Sequence, residues 1–353
     1  MDRLSDASAL QLLPKVLADL VEGAVADVRV QASSGVPPLR ADALVWIAGH
    51  RFLVEYKAEG TLVPVVRAIE SLQQTRGELP DALPLVVVPY MEPSGRLRCR
   101  EEGVSWCDLS GNADIRAPGL VIRVEGRPNR YRRRGRPADI FAPKSSRVAR
   151  FLLSHPDRSF SQREISSETG LGEGYVSRIV GHVENLGVVS RSPDGRVRLL
   201  DGQLLLDAWK ARYDFRKHFV LRGHVASRTP EQLMHQVART LTAQRSQYAL
   251  TGLAAAWTYL RFAAFQIVTF YVAESPEPNL LEALGFREEP SGANVWLVVP
   301  NDEGVFMGTQ QRAKLPCVSP LQVYLDLGGH PERAAEAAEE LRRSLLPWTL
   351  PRG

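Results

Sequence analysis

The spacing of apolar side chains in the first part of the chain predicts a helix followed by a hairpin. Residues 8–23 place apolar side chains at the three- and four-residue intervals of an amphipathic helix, interrupted only by Pro14. The segment 42–57 contains two strand-like runs, and Gly49-His50 suits the two central positions of a tight turn between them. We therefore expect an α/β domain at the start of the chain.

The predicted hairpin brings three charged side chains to one face. With Gly49-His50 in the turn, Asp42 lies opposite Lys57, and Glu55 is two residues away on the same face. Two carboxylates can share a magnesium ion, which prefers oxygen ligands, while a lysine can stabilise charge on a phosphate. A surface salt-bridge ladder is the alternative interpretation of the same three residues.

Three helical segments follow in the middle of the chain. The first contains Val148, Phe151 and Leu152 at helical spacing, and the second begins with Ser161 and Glu164, which are spaced as a capping box. The third has one apolar stripe, formed by Val176, Ile179, Val180, Val183 and Leu186. Its opposite face carries Tyr175, Ser177, Arg178 and His182, and this face is available to a DNA groove.

A hairpin completes this middle segment. The strand-like runs 188–192 and 196–200 flank the turn residues Pro193-Asp194-Gly195. Three helices and a hairpin predict a winged helix-turn-helix. Its wing would carry Arg191, Arg196 and Arg198 towards a phosphate row or the minor groove. Docking of a protein partner is the alternative role of such a unit.

The last part of the chain again alternates strand and helix patterns. Segments 265–274 and 293–301 are strand-like, and 331–346 is typical of an amphipathic helix. The histidines there lack the spacing of metal ligands. We interpret Asp326 as a helix-capping or salt-bridged acid, with a functional role as the alternative. Partner binding is the expected role of this second α/β module.

Composition indicates a soluble globular protein that functions in a reducing compartment. The chain has 353 residues, 44% of them hydrophobic and 24% charged, which suits two or three domains. Its three cysteines form no C-x-x-C pair. Neither a signal peptide nor a membrane span is expected, since the most apolar stretch, 248–272, is interrupted by Arg261 and Gln266. These features predict a cytoplasmic location.

The positive charge is concentrated in one segment. The chain has a net charge of +4, yet residues 123–150 hold nine arginines and Lys144 against Glu125 and Asp139. Prolines and glycines mark part of this segment as an extended linker. Such a linker is suited to neutralising DNA phosphates, a solvated linker or an address signal being the alternatives. The candidate phosphate-binding residues are Arg130, Arg132, Arg133, Arg134, Arg136 and Lys144.

The N-terminal hairpin resembles the PD-(D/E)xK, or restriction-endonuclease-like, superfamily. The matching residues are Asp42 and Glu55-Tyr56-Lys57, followed by a predicted helix at 65–76 and a strand at 83–88. The resemblance implies that Asp42 and Glu55 bind Mg²⁺ or Mn²⁺ and that Lys57 assists catalysis. Ala41 stands where the signature of the superfamily has proline.

A second resemblance covers more of the chain. Segment 103–127, containing Asp-Leu-Ser-Gly-Asn, is followed by the basic linker, the predicted winged helix, and segments 248–260 and 319–346. In this order they resemble the AbiEi-type regulators, the antitoxins of type IV toxin-antitoxin systems. The resemblance implies a DNA-binding repressor. Its protein partner would be a cognate toxin, or a second copy bound through the C-terminal domain.

The expected fold class is α/β with several domains. We predict a restriction-endonuclease-like α/β domain at 1–128, a basic linker at 129–143, a winged helix-turn-helix at 144–205 and a C-terminal α/β AbiEi-like domain at 206–353. The predicted function is that of a transcriptional regulator that binds double-stranded DNA and needs no cofactor. The alternative is a Mg²⁺- or Mn²⁺-dependent nuclease that uses Asp42, Glu55 and Lys57, so enzyme activity is left open.

Overall fold

The computed structural model describes residues 6–20, 30–32, 41–77, 79–131, 139–262, 264–289 and 291–350. The chain is a mixed α/β protein that divides into two compact units, Met1–Pro137 and Ala138–Gly353. The division falls within the predicted basic linker.

The first unit is a seven-stranded mixed sheet with helices. Its strands lie in the order β1-β2-β3-β4-β5-β6-β7, with β3 parallel to β4 and β4 parallel to β5, and antiparallel pairs elsewhere. The elements are α1 (Asp6–Leu20), β1 (Val30–Ala32), β2 (Ala43–Ile47), β3 (His50–Tyr56), α2 (Leu62–Arg76), β4 (Leu83–Val88), α3 (Pro93–Glu101), β5 (Ser105–Asp108), β6 (Ala113–Ala117) and β7 (Leu120–Val124).

Both faces of this sheet are buried. Alternate residues of β4 point to opposite sides, so Leu85 joins an apolar cluster with Leu13 of α1, while Val86 joins a second cluster with Leu72 of α2. A strand buried on both faces needs a continuous apolar sequence, which explains the run at 83–88. The central strands are therefore fixed from both sides.

The hairpin of β2 and β3 has a different turn from the predicted one. Ala48 and Gly49, with φ angles of 49° and 80°, occupy the two central positions, and Ile47 pairs with His50. Two positive φ angles match the twist of the strands, which outweighs the cost of about 1–2 kcal/mol for a left-handed alanine. Continuing this register places Asp42 opposite Glu55, so the predicted pairing with Lys57 is wrong.

The second unit begins with three helices and a small antiparallel sheet. The elements are α4 (Ser146–Ser154), β8 (Ser159–Phe160), α5 (Gln162–Thr169), α6 (Glu173–Asn185), β9 (Val189–Arg191) and β10 (Val197–Leu199), and the strands lie in the order β8-β10-β9. The predicted capping box is confirmed, because Ser161 and Glu164 each accept a hydrogen bond from the backbone of the other. Gly170, with φ of 65°, then ends α5.

A larger mixed sheet follows. Its strands lie in the order β14-β11-β15-β13-β12-β17-β16, with β13 parallel to β15 and β12 parallel to β17. The elements are α7 (Gly202–Arg212), β11 (Phe219–His224), α8 (Pro230–Ala243), β12 (Tyr248–Thr251), α9 (Gly252–Leu260), β13 (Val268–Val272), α10 (Pro278–Leu284), β14 (Arg287–Glu288), β15 (Val295–Val299), β16 (Gln310–Arg312), β17 (Leu315–Cys317), α11 (Pro320–Leu327) and α12 (Ala334–Leu345). Among the helices of the described ranges, none has the length and apolar character needed to cross a membrane.

Two arginines join helix α4 to the rest of the second unit. Arg147 binds Asp302 through two hydrogen bonds, from Nε to Oδ1 at 2.7 Å and from Nη2 to Oδ2 at 2.6 Å. Its Nη1 atom also donates to the carbonyl of Thr169 at the end of α5. Arg150 is 3% exposed, and its guanidinium carbon lies 5.0 Å from the ring centre of Trp209 in α7. The three-helix segment and the larger sheet therefore form one packed body within the second unit.

We expect the Arg147–Asp302 pair to stabilise the second unit. Both side chains are nearly buried, with exposed fractions of 11% and 12%, so Asp302→Ala would leave Arg147 without its bidentate partner. The free energy of unfolding should fall by about 2–4 kcal/mol, as measured by urea denaturation. Glu303→Ala is the matched control, because Glu303 also pairs with Arg147 but is 79% exposed. It should cost less than about 1 kcal/mol. Equal effects of the two substitutions would contradict this interpretation.

Candidate nucleic-acid interface and carboxylate site

Helix α6 has one buried and one exposed face. Its buried residues are Val176, Ile179, Val180 and Val183, four of the five positions in the predicted apolar stripe. Ser177 and Arg178 lie on the exposed side. The helix therefore presents a polar surface, with a hydroxyl and a guanidinium side by side in sequence.

Tyr175 connects this surface to the start of α4. Its hydroxyl hydrogen-bonds to that of Ser145, just before α4, at 2.8 Å. The guanidinium carbon of Arg178 lies 5.3 Å from the centre of the Tyr175 ring, within the range of a cation–π contact. His182 is half-buried in the last turn of the helix. Tyr175 thus orients Arg178 and is itself held by a contact within the unit.

Two of the three hairpin arginines also have partners within the unit, while Arg198 is exposed. Arg191 pairs with Glu184 at 3.2 Å, and Arg196 pairs with Glu164 at 3.2 Å and donates to the carbonyl of Ser159. Residues 144–205 contain nine Lys and Arg against seven Asp and Glu, so this segment is close to neutral. A large excess of positive charge must come from outside it.

The structure describes only part of the predicted basic segment. Arg130 and Lys144 are exposed. Four further candidates, Arg132, Arg133, Arg134 and Arg136, lie outside the described residues. The charge count for 123–150 included Arg147 and Arg150, but both side chains contact the interior of the second unit. They are not available to phosphates, so the accessible charge of the segment is smaller than its sequence indicates.

The predicted carboxylate site does bring its residues together. Glu55 is 6% exposed, and its Oε1 atom accepts a hydrogen bond from Lys57 Nζ at 2.7 Å. Asp42 accepts a hydrogen bond from the backbone N–H of Tyr56 at 2.8 Å. Burial raises the pKa of Glu55, which the Lys57 ammonium opposes and the negative charge of Asp42 reinforces.

One atom of this site fits a cation. Oε2 of Glu55 is buried and makes no hydrogen bond of standard geometry, although a buried carboxylate oxygen normally has a partner. Asp42 and Glu55 supply the hard oxygen ligands that Mg²⁺ and Mn²⁺ prefer. Within the described residues, however, no group of three or more His, Cys, Asp or Glu side chains could hold a metal ion. A cation here would therefore depend on two carboxylates and water. The Lys57–Glu55 ion pair equally suits the salt-bridge alternative.

A buried polar cluster around Asp326 was not predicted. Its carboxylate accepts four hydrogen bonds from side chains and forms no helix cap or ion pair among the described residues, so the expected role is wrong. The donors to Oδ1 are Tyr213 at 2.5 Å, Tyr271 at 2.9 Å and Gln322 at 2.6 Å, and Thr251 donates to Oδ2 at 2.5 Å.

The surroundings of this cluster shift its ionisation. Burial raises the pKa of Asp326 to about 6, although its four donors stabilise the ionised form. His218 contacts the hydroxyl of Tyr213 at 2.9 Å, and burial lowers its pKa to about 4. The side chains of the cluster come from β12, β13, α11 and the residue that follows α7, which are far apart in the sequence. No motif spacing could therefore indicate the cluster. The only signal in the sequence is that several polar residues stand within apolar runs.

Together these features define a mixed α/β protein whose second unit has an exposed polar helix face and a buried polar centre around Asp326. Residues 198–346 match the model of a family described as a transcriptional regulator, the AbiEi antitoxin of a type IV toxin-antitoxin system. The match supports an AbiEi-type antitoxin and regulator role, in agreement with the second resemblance. The PD-(D/E)xK resemblance of the first unit has no such support and stays a prediction. No curated protein and no solved structure matches the chain.

The raised pKa of Asp326 predicts a specific pH dependence. The native carboxyl takes up its proton near pH 6, whereas an ordinary aspartate in the unfolded chain does so near pH ~3.9. Acidification from pH 7.5 to 5 therefore stabilises the native state through this group. In Asp326→Asn that gain is absent, so its unfolding free energy relative to the wild type should fall by about 1 kcal/mol over the same interval.

Urea denaturation of both proteins at pH 7.5 and 5 measures this difference. The control is Asp214→Asn, since the hydrogen bond from Arg216 lowers the pKa of this partly exposed aspartate, and it should not reproduce the effect. A difference of the opposite sign for Asp326→Asn would contradict the assignment.

Proposed function

We propose that the chain is a DNA-binding transcriptional regulator of the antitoxin kind, in which residues 144–205 form a winged helix-turn-helix and α6 reads duplex DNA. The family match of residues 198–346 supports the regulator role. The observation that carries the DNA-binding part is the exposed polar face of α6, which presents Ser177 and Arg178 while the other face is buried.

The order of elements supports this proposal. Helices α5 and α6 are separated by Gly170, Leu171 and Gly172, a turn of the length found in helix-turn-helix units. A hairpin follows α6 and pairs with β8, as a wing would. Base contacts come from the first part of a recognition helix. Tyr175, Ser177 and Arg178 lie there, and a guanidinium is well suited to the acceptor edge of guanine.

The charge distribution favours another segment for the phosphate contacts. Residues 144–205 are nearly neutral, and the hairpin arginines Arg191 and Arg196 already have acidic partners. The arginines of 130–136 would therefore supply most of the phosphate neutralisation, while α6 supplies sequence discrimination. A cognate toxin, or a second copy bound through 206–353, is the protein partner that we propose for the larger module.

Substitutions should separate these two contributions. Arg178→Ala should lower the affinity for DNA upstream of the protein's own gene by about 1–3 kcal/mol and reduce the preference over random duplex. Replacing Arg132, Arg133, Arg134 and Arg136 by Gln should weaken binding to every sequence. It should also reduce the slope of log K against log salt by about 3–4.

Fluorescence anisotropy with both duplexes at several salt concentrations measures both effects. Arg343→Ala is the control, because Arg343 is exposed on α12 and pairs with Glu340. Equal wild-type affinity for the upstream and the random duplex would count against a regulator.

A metal-dependent nuclease is the second candidate. It is favoured by the buried Oε2 of Glu55, which makes no hydrogen bond of standard geometry and lies in a site with Asp42 and Lys57, and by the element order α1-β1-β2-β3-α2-β4. In that function Asp42 and Glu55 would hold Mg²⁺ or Mn²⁺, which supplies Lewis-acid activation of a phosphate. Lys57 would stabilise the negative charge that develops on the phosphate oxygens.

The nuclease candidate predicts duplex cleavage that requires Mg²⁺ or Mn²⁺ and is lost in Asp42→Asn and Lys57→Ala. Arg51→Ala is the control, because it changes a charge on the same strand at a position paired with Trp46. Gel assays of purified variants measure cleavage, and crystals soaked with manganese would show an anomalous peak between the carboxylates. Cleavage that persists equally in all variants would identify a contaminant and rule out this site.

A further inference from the structure

The loop between β5 and β6 is organised around a buried carboxylate. Asp108 is fully buried, and its Oδ2 atom accepts a hydrogen bond from the backbone N–H of Met91 at 3.1 Å. Its Oδ1 atom accepts from the backbone N–H of Asn112 at 2.9 Å, and the Asn112 amide group donates to both carboxylate oxygens. Asp108 therefore fixes the orientation of the Asn112 side chain.

Asn112 uses its remaining capacity to hold one residue beyond β7. The backbone N–H of Arg127 donates to Oδ1 of Asn112 at 2.8 Å, and Nδ2 of Asn112 donates to the carbonyl of Arg127 at 3.1 Å. A buried amide thus satisfies both backbone groups of Arg127, as a neighbouring strand would. Pairing of β7 with β6 has already ended at Val124, so the side chain replaces the sheet at this point.

Two further residues of the loop, Ser110 and Gly111, also lie against this segment. Ser110 donates to the carbonyl of Pro89 at 3.1 Å and accepts from the backbone N–H of Arg130 at 3.2 Å. At Gly111 an added Cβ would lie 2.4 Å from Nη1 and 2.9 Å from Cδ of Arg127, so the arginine side chain crosses the space that a side chain at 111 would fill. Three consecutive loop residues, 110–112, therefore contact either Arg127 or Arg130.

These residues are the start of the basic segment. From these contacts we infer that the Asp108–Asn112 loop is a clamp that fixes the point at which the arginine-rich segment leaves the first unit, so that this segment meets DNA phosphates from a defined origin. The inference rests on the proposed DNA-binding function and extends it with positioning residues, Ser110 and Asn112. Neither side chain is itself placed on DNA.

The clamp matters because it orders residues 127–130 before DNA binds. Fixing the backbone of a residue costs conformational entropy. Without the clamp, that cost would be added to DNA binding, because residues 127–130 would have to be ordered when the arginines bind. We expect a loss of about threefold to tenfold in DNA affinity, without a change in the number of phosphates contacted.

A double-mutant cycle in the full-length chain tests the clamp. Ser110→Ala and Asn112→Ala are each made with the wild-type arginines and with Arg132, Arg133, Arg134 and Arg136 replaced by Gln. Both substitutions should weaken binding of the upstream duplex threefold to tenfold in the first background and less than twofold in the second. The salt slope should stay unchanged in the first background. Equal losses in both backgrounds, or no loss in either, would overturn the clamp.

Two controls separate the clamp from general damage. Gly111→Ala should weaken binding by displacing Arg127, whereas Gly103→Ala should not, because Gly103 also has a positive φ but nothing lies within 4 Å of an added Cβ. Ser110→Ala is the milder variant should Asn112→Ala unfold the first unit, which thermal denaturation detects.

Hydrogen exchange gives a readout that is independent of DNA. The amides of Arg127 and Arg130 should be protected in the wild type and lose protection in Asn112→Ala and Ser110→Ala respectively. Absence of protection in the wild type would refute the clamp. Absence of wild-type DNA binding would instead refute the proposed function and, with it, the role of the clamp on phosphates.

Discussion

A nearly buried ion pair joins α4 to the loop that follows β15. Removing Arg147 from water is costly, and the bidentate contact with Asp302 offsets that cost only in one geometry. Asn301 precedes Asp302 in the chain. Its backbone N–H donates to Nδ1 of His218, and His218 in turn contacts the Asp326 cluster. One short loop thus joins α4 to the buried polar centre. Since α5 and α6 pack on α4, the exposed face of α6 has a fixed orientation on the larger module.

Local sequence patterns were sufficient for most elements. The stripe of α6 and the capping box of Ser161 and Glu164 depend on residues within one or two turns, so spacing alone determines them. The hairpin at Ala48-Gly49 shows the limit of such patterns, because two adjacent residue pairs could both occupy a tight turn. Moving the turn by one residue shifts the strand pairing by two positions. The partner of Asp42 therefore changed from Lys57 to Glu55, while all three side chains stayed on one face of the hairpin.

Contacts between distant segments were beyond the reach of the sequence. The Asp326 cluster joins side chains from residues 213 to 326, and each of them alone is an ordinary core or surface residue type. The charge count for residues 123–150 overstated the accessible positive charge for a related reason, because counting treats every arginine as exposed. Arg147 and Arg150 carry the same formal charge as Arg130, yet tertiary packing directs them inward. Burial, which the sequence does not report, decides which charges can meet a polyanion.

The first unit places its two candidate features at one edge of the sheet. Strands β3, β4 and β5 run parallel, so Tyr56, Val88 and Asp108 end at the same side. The carboxylates of Asp42 and Glu55 and the clamp that holds Arg127 and Arg130 therefore lie near that edge. Lys57 offsets one of the two negative charges. In a regulator, the arginines would only need to outweigh the remaining negative charge. In a nuclease, a bound cation would have to neutralise that charge before a phosphate could approach. The two candidate functions thus make different electrostatic demands on the same edge.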